Sequence, residues 1–103
     1  MAFKQMNTLM AKRNAGSLRG TVYPIACKTW FTSNGSIMPL SLKFEGEDGI
    51  LYRVADINTT LVEDKNYSGI PSREFSCKAV IGGLMQEFKL IFYVEEYRWV
   101  MVV

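Results

Sequence analysis

Arg73-Glu74-Phe75-Ser76-Cys77-Lys78-Ala79-Val80-Ile81-Gly82-Gly83-Leu84-Met85-Gln86-Glu87-Phe88-Lys89-Leu90-Ile91-Phe92-Tyr93-Val94 decides the fold. Before the two glycines, Phe75, Cys77, Ala79 and Ile81 recur at every second position. After them, Phe88, Leu90, Phe92 and Val94 do the same. A period of two puts side chains on one face of an extended chain, whereas a helix repeats at three and four. Gly82-Gly83 adopts positive φ without a Cβ clash, which is what a tight two-residue hairpin requires. The stretch predicts two antiparallel strands, 73–81 and 84–94, each burying one face. The glycine pair lacks the downstream glycine and following helix of a dinucleotide site.

Working outward, Glu95-Glu96 reads as the next turn and 97–103 as a last strand. Tyr97, Trp99, Met101 and Val103 share one face of it, and Arg98, Val100 and Val102 the other. Both faces are mostly apolar, so this strand is expected to be central or covered on both sides. Upstream, Asn58 to Pro71 is the longest polar stretch and is read as a surface loop, with room for a short helix or turn around 61–65. Before it, 50–57 is a strand whose alternation breaks at Leu51 and Ile57, which a bulge would reconcile. Gly46-Glu47-Asp48-Gly49 is a hairpin loop, and Leu40, Leu42 and Phe44 point inward from a strand over 40–44. Ser33-Asn34-Gly35-Ser36 is a strong turn. The first strand, 21–32, puts Tyr23, Ile25, Cys27, Thr29 and Phe31 on one face and Val22, Pro24, Ala26, Lys28 and Trp30 on the other.

The pattern predicts a mainly β domain over 21–103: six strands in a small antiparallel barrel or strongly curled meander, because curling removes exposed edges. Residues 1–20 form a separate basic arm. Phe3, Met6 and Met10 (or Leu9) recur at spacings of three and four, which predicts a short helix ending at Asn14-Ala15-Gly16. Such a helix is marginal in water and must dock on the sheet or fray. Lys4, Lys12, Arg13, Arg19 and Lys28 all precede the first acid, Glu45, although the net charge is only +2. An arm of one sign suits an anionic partner, or serves only to keep the segment solvated.

With 103 residues and 49% apolar content, the chain can bury one core without staples. It has no apolar run of membrane-spanning length. The opening lacks the unbroken apolar block of a secretory signal, so the expected compartment is cytoplasmic. Two cysteines, Cys27 and Cys77, are too few for a disulfide framework and are expected as free thiols, a bridge being open only if their strands are neighbours. There is no histidine. That removes the commonest general base and metal ligand. Glu47-Asp48 and Glu95-Glu96 fall in turns, not across a cleft as paired catalytic carboxylates must. Asp56, beside the long polar stretch, is expected to cap backbone N–H groups.

From Gly35 onward the chain resembles a group of small proteins from Gram-positive bacteria that have no assigned function. The shared features are Gly35-Ser36-Ile37-Met38-Pro39-Leu40, the hairpin Phe44-Glu45-Gly46-Glu47-Asp48-Gly49, the segment Tyr52-Arg53-Val54-Ala55-Asp56 and the closing Arg98-Trp99-Val100. The acidic hairpin is longer here than in that group. The resemblance implies a compact β domain and carries no catalytic residues.

These readings favour a non-enzymatic module that binds a protein or a second copy of itself. Val100 and Val102, with little polar cover, are the expected self-association residues. The alternative is a small barrel binding single-stranded nucleic acid, with Lys28, Trp30, Lys43 and Arg53 converging on one face. Tyr67, Arg73 and Arg98 are further binding candidates. A third reading, an enzyme using Cys27 or Cys77, requires an exposed and abnormally acidic thiol. No cofactor, metal or membrane partner is expected. Trp99 is read as core and Trp30 as open to either role.

Overall fold

The computed structural model describes Gly20–Val103, and every regular element among these residues is a β-strand. In chain order they are β1 (Val22–Phe31), β2 (Ile37–Glu45), β3 (Leu51–Val54), β4 (Asn58–Tyr67), β5 (Ile70–Ile81), β6 (Leu84–Tyr93) and β7 (Arg98–Val102). They form one antiparallel sheet in the order β3-β2-β1-β7-β6-β5-β4. The predicted arm and its helix lie outside the described residues. No described helix is long and apolar enough to cross a membrane.

Connectivity forces the sheet to roll up. Strands β3 and β4 are its two edges, yet only Ala55-Asp56-Ile57 joins them. Seven flat strands would hold the edges about 29 Å apart. The link from Val54 to Asn58 spans at most about 13 Å. The edges must therefore come together, and Ile57 N donates to Leu40 O of β2 at 3.3 Å. No ladder joins β3 to β4, so the result is a curled sheet, open along one seam. Asp56 turns the link with φ 54°, and among the described residues its side chain caps no backbone N–H, contrary to expectation. This left-handed residue also ends β3 at Val54, short of the predicted 57.

The turns follow the glycines. Gly82 and Gly83 have φ 62° and 82°, and Ile81 pairs with Leu84, the two-residue hairpin the sequence predicts. At the β1–β2 turn only Gly35 is left-handed, with φ 87°. Thr32 N donates to Ser36 O, and Gly35 N to Thr32 O. This is a three-residue loop, not one centred on Asn-Gly. The β2–β3 loop repeats it with Gly49 at φ 79°.

The predicted 58–71 loop is instead a hairpin: β4 pairs with β5 from Asn58↔Lys78 to Tyr67↔Ile70. There is no helix at 61–65. β4 reads as a loop because it is an edge strand. Glu63, Asp64 and Lys65 lie on it, and such charges discourage pairing with another chain.

The core fills the concave face. Leu42, Phe44, Val54, Phe75, Cys77, Ala79, Ile81, Phe88, Leu90, Phe92, Trp99, Met101 and Val103 pack there. Trp99 is core, its ring 5.3 Å from that of Phe75 and 5.0 Å from that of Phe92. Val94, expected on this face, lies past the end of β6 and is exposed. A second, smaller cluster occupies the opposite face: Ile91, Val100 and Val102, with Tyr93 against them. As expected, β7 is central and buried on both sides. The premise for self-association fails, because Val100 and Val102 are only 4% and 1% exposed.

Candidate nucleic-acid interface

Strand β1 alternates as far as Trp30, so Ala26, Lys28 and Trp30 all face outward, while Phe31, expected inward, is exposed as well. On β2, alternation alone would set Met38 and Pro39 wrongly relative to Lys43. The register is Lys28↔Ser41 but Thr29↔Pro39, which leaves Leu40 as an extra residue. Proline has no N–H for the ladder, so a bulge beside it costs little. The bulge turns Met38 to the outer face opposite Trp30, while Ser41 and Lys43 stay outward. Leu40, predicted inward with Leu42 and Phe44, is half-buried at the bulge.

The outer face of β1–β2–β3 then reads in rows. Ala26 pairs with Lys43, which pairs with Arg53, and the next row pairs Lys28 with Ser41. Each of these two outward-facing β1–β2 pairs holds one small and one long side chain, in alternating order. A groove of about 440 Å³ results, its walls including Lys28, Lys43 and Arg53 and its floor Ala26 and Ser41. Trp30 stands two residues beyond Lys28, about 7 Å along the strand. It is 61% exposed, beside exposed Met38 and Phe31. Sequence reasoning named Lys28, Trp30, Lys43 and Arg53 as candidates for one face but not Ala26, Ser41 and Met38, since only the register sets these beside them.

The charges here are uncompensated. Lys43 and Arg53 are directly opposite, an arrangement that costs roughly 0.2–1 kcal/mol. None of the ion pairs among the described residues involves Lys28, Lys43 or Arg53. The other basic candidates are engaged elsewhere. Arg73 Nε binds Asp64 Oδ1 at 2.7 Å. Arg98 pairs with Glu96 and stacks on the Tyr93 ring at 4.3 Å. Tyr67 Oη donates to Glu74 Oε2 at 3.0 Å, and that bond pushes the phenol's pKa up. These three belong to β4, β5 and β7 and do not join the Lys28 group.

Neither thiol has the acidity that nucleophilic chemistry needs. Burial pushes Cys77 up to about 11 and also raises Cys27. Both are free, on β5 and β1, which are not neighbours. Among the described residues, no group of three or more His, Cys, Asp or Glu side chains could hold a metal ion. The acidic turns do structural work: Asp48 Oδ1 accepts from Ile50 N, and Tyr52 Oη donates to Asp48 Oδ2 at 2.6 Å, which lowers the Asp48 pKa. Comparison with protein-family models, curated proteins and solved structures finds no match, so function is read from this geometry alone.

Proposed function

We propose that the outer face of β1–β2–β3 binds single-stranded nucleic acid. Trp30 stacks on a base, and Lys28, Lys43 and Arg53 hold the phosphates flanking it. One observation carries this reading: three cations, two of them directly opposed, share a groove without an acidic partner beside an exposed indole. A fold accepts like-charge pairs at some cost in stability, and an anionic ligand converts that cost into binding. Stacking adds about 1–3 kcal/mol per base regardless of sequence. A partially neutralised, sequence-tolerant site is the expected chemistry.

Protein binding keeps one specific support, the exposed apolar group Trp30, Phe31 and Met38 at the end of the same hairpin. An acidic protein segment would use the same cations, and the two ligands separate in one experiment. A fluorescein-labelled mixed-sequence 12-mer is titrated with the full chain at rising salt, then competed with polyglutamate. Trp99 is core, so ligand-dependent quenching of tryptophan emission reports Trp30. Three phosphate contacts give a slope of about −2 in log K against log salt. Replacing Lys28, Lys43 and Arg53 together with alanine should flatten the slope by that amount. Absence of binding at low salt defeats the proposal, and preferential capture of polyglutamate transfers the site to a protein ligand.

A further inference from the structure

We propose that β4 pairs edge to edge with β4 of a second copy of this chain, joining the two sheets into one. Of the two edges, β3 is four residues long and β4 ten. A short edge offers little to a partner, whereas a long one presents a row of unpaired backbone groups. Among the described residues β4 pairs with β5 alone, and Leu61, Val62 and Tyr67 on it are 52%, 48% and 45% exposed.

The β4–β5 turn shows which backbone groups are free. Ser68 and Gly69 are both left-handed, with φ 54° and 83°, and Tyr67 pairs with Ile70. Such a two-residue hairpin closes on a pair that is hydrogen-bonded through the backbone. Bonded and non-bonded pairs alternate from there. Tyr67, Lys65, Glu63 and Leu61 therefore bond to β5. Val62, Asp64 and Asn66 turn their N–H and C=O groups to the open edge. An added antiparallel strand must meet those three, so only every second register is allowed.

One allowed register fits by charge and by length. The regular ladder is bounded by a bulge at Thr60 and the turn at Ser68, and Asp64 is midway between them. A two-fold axis through Asp64 overlaps the whole stretch with its copy. Val62 then bonds to the partner's Asn66. Glu63 faces the partner's Lys65, and Leu61 faces the partner's Tyr67. These last two are non-bonded pairs, in which side chains come closest. Moving the axis to Glu63 or to Lys65 sets like charges opposite each other. The charges that keep other strands off this edge thus fit its own copy. Asp64 meets itself across the axis, but Arg73 Nε already holds each carboxylate at 2.7 Å.

Glu63 also gains what one chain does not give it. Glu74 is directly opposite, a like-charge pair, and Lys89 lies on the far side of Glu74. Its own Lys65 Nζ reaches only to 3.9 Å, with both side chains solvated. A second Lys65, across the new ladder, supplies a closer cation.

The test follows the full chain by sedimentation equilibrium across a wide range of concentration. Wild type should dimerise reversibly. Glu63→Lys and Lys65→Glu each turn attraction into repulsion, twice per dimer, and each should weaken association on the order of tenfold or more. Mixed together, the two variants should form a heterodimer, because every facing pair is again opposite in charge. Hydrogen exchange reads the same edge without a variant: the amides of Val62, Asp64 and Asn66 should slow as concentration rises. A monomer at every concentration would overturn the proposal and leave the edge to a strand of another protein. A dimer indifferent to both variants, variants that stay apart when mixed, or a dimer in which those three amides remain fast would overturn it too.

Discussion

Burial pushes the Cys77 thiol up to a pKa of about 11 from its ordinary value of 9.0. The side chain sits in the core with Thr59 Oγ1 3.7 Å from its sulfur. Native protein keeps the proton where unfolded protein loses it. The stabilisation is therefore complete below pH 9 and fades as pH rises through 11. Two units correspond to roughly 2–3 kcal/mol at the alkaline limit. Urea midpoints at pH 8 and 10.5 should fall further for wild type than for Cys77→Ala, in which this group cannot titrate. Equal pH dependence in the two proteins would show that the thiol is not protected. The same physics makes Cys77 resist iodoacetamide at pH 8 until the chain unfolds.

The β1–β2–β3 meander carries the proposed site, and its defining cost is the Lys43–Arg53 pair. Arg53→Glu replaces repulsion with attraction across the strands. It should raise stability by about 0.5–1 kcal/mol, seen as a higher urea midpoint at unchanged m. Oligonucleotide affinity should drop at the same time, because one cation becomes an anion. A variant that gains no stability would mean that the opposed charges are already relieved by solvent. At this scale the sequence was half legible. Alternation on β1 placed Lys28 and Trp30 on one face, and Lys43 and Arg53 followed from their own strands. The rest is non-local. The bulge at Leu40 depends on what Pro39 does to its ladder, and the Ala26–Ser41 floor exists only once strands are in register. Strand β4 was hidden because a polar, charged edge has the composition of a loop. The two apolar faces of β7 marked that strand as central or covered on both sides, and the misreading was to take Val100 and Val102 as exposed self-association residues all the same.

Across the whole molecule, β7 is the seam. The β1–β2–β3 meander and the β4–β5–β6 meander share no strand pairing except through it: β7 pairs with β1 from Val22↔Val102 and with β6 from Lys89↔Val102. Trp99, Val100, Met101, Val102 and Val103 are all buried. At about 1.5–3 kcal/mol per side chain, their burial is comparable with the whole stability of a domain this size. Two consequences follow for folding. Neither meander can complete its core before β7 is placed, and both should be lost together when it is weakened. Met101, fully buried, tests this in the full chain. Met101→Ala should cost about 2–5 kcal/mol. Amide exchange should then accelerate by the same factor in β2 and in β5, because one cooperative opening governs both. If β5 and β6 kept wild-type protection while β1 and β2 lost theirs, the two meanders would be independent units, and β7 would be an appendage of one of them.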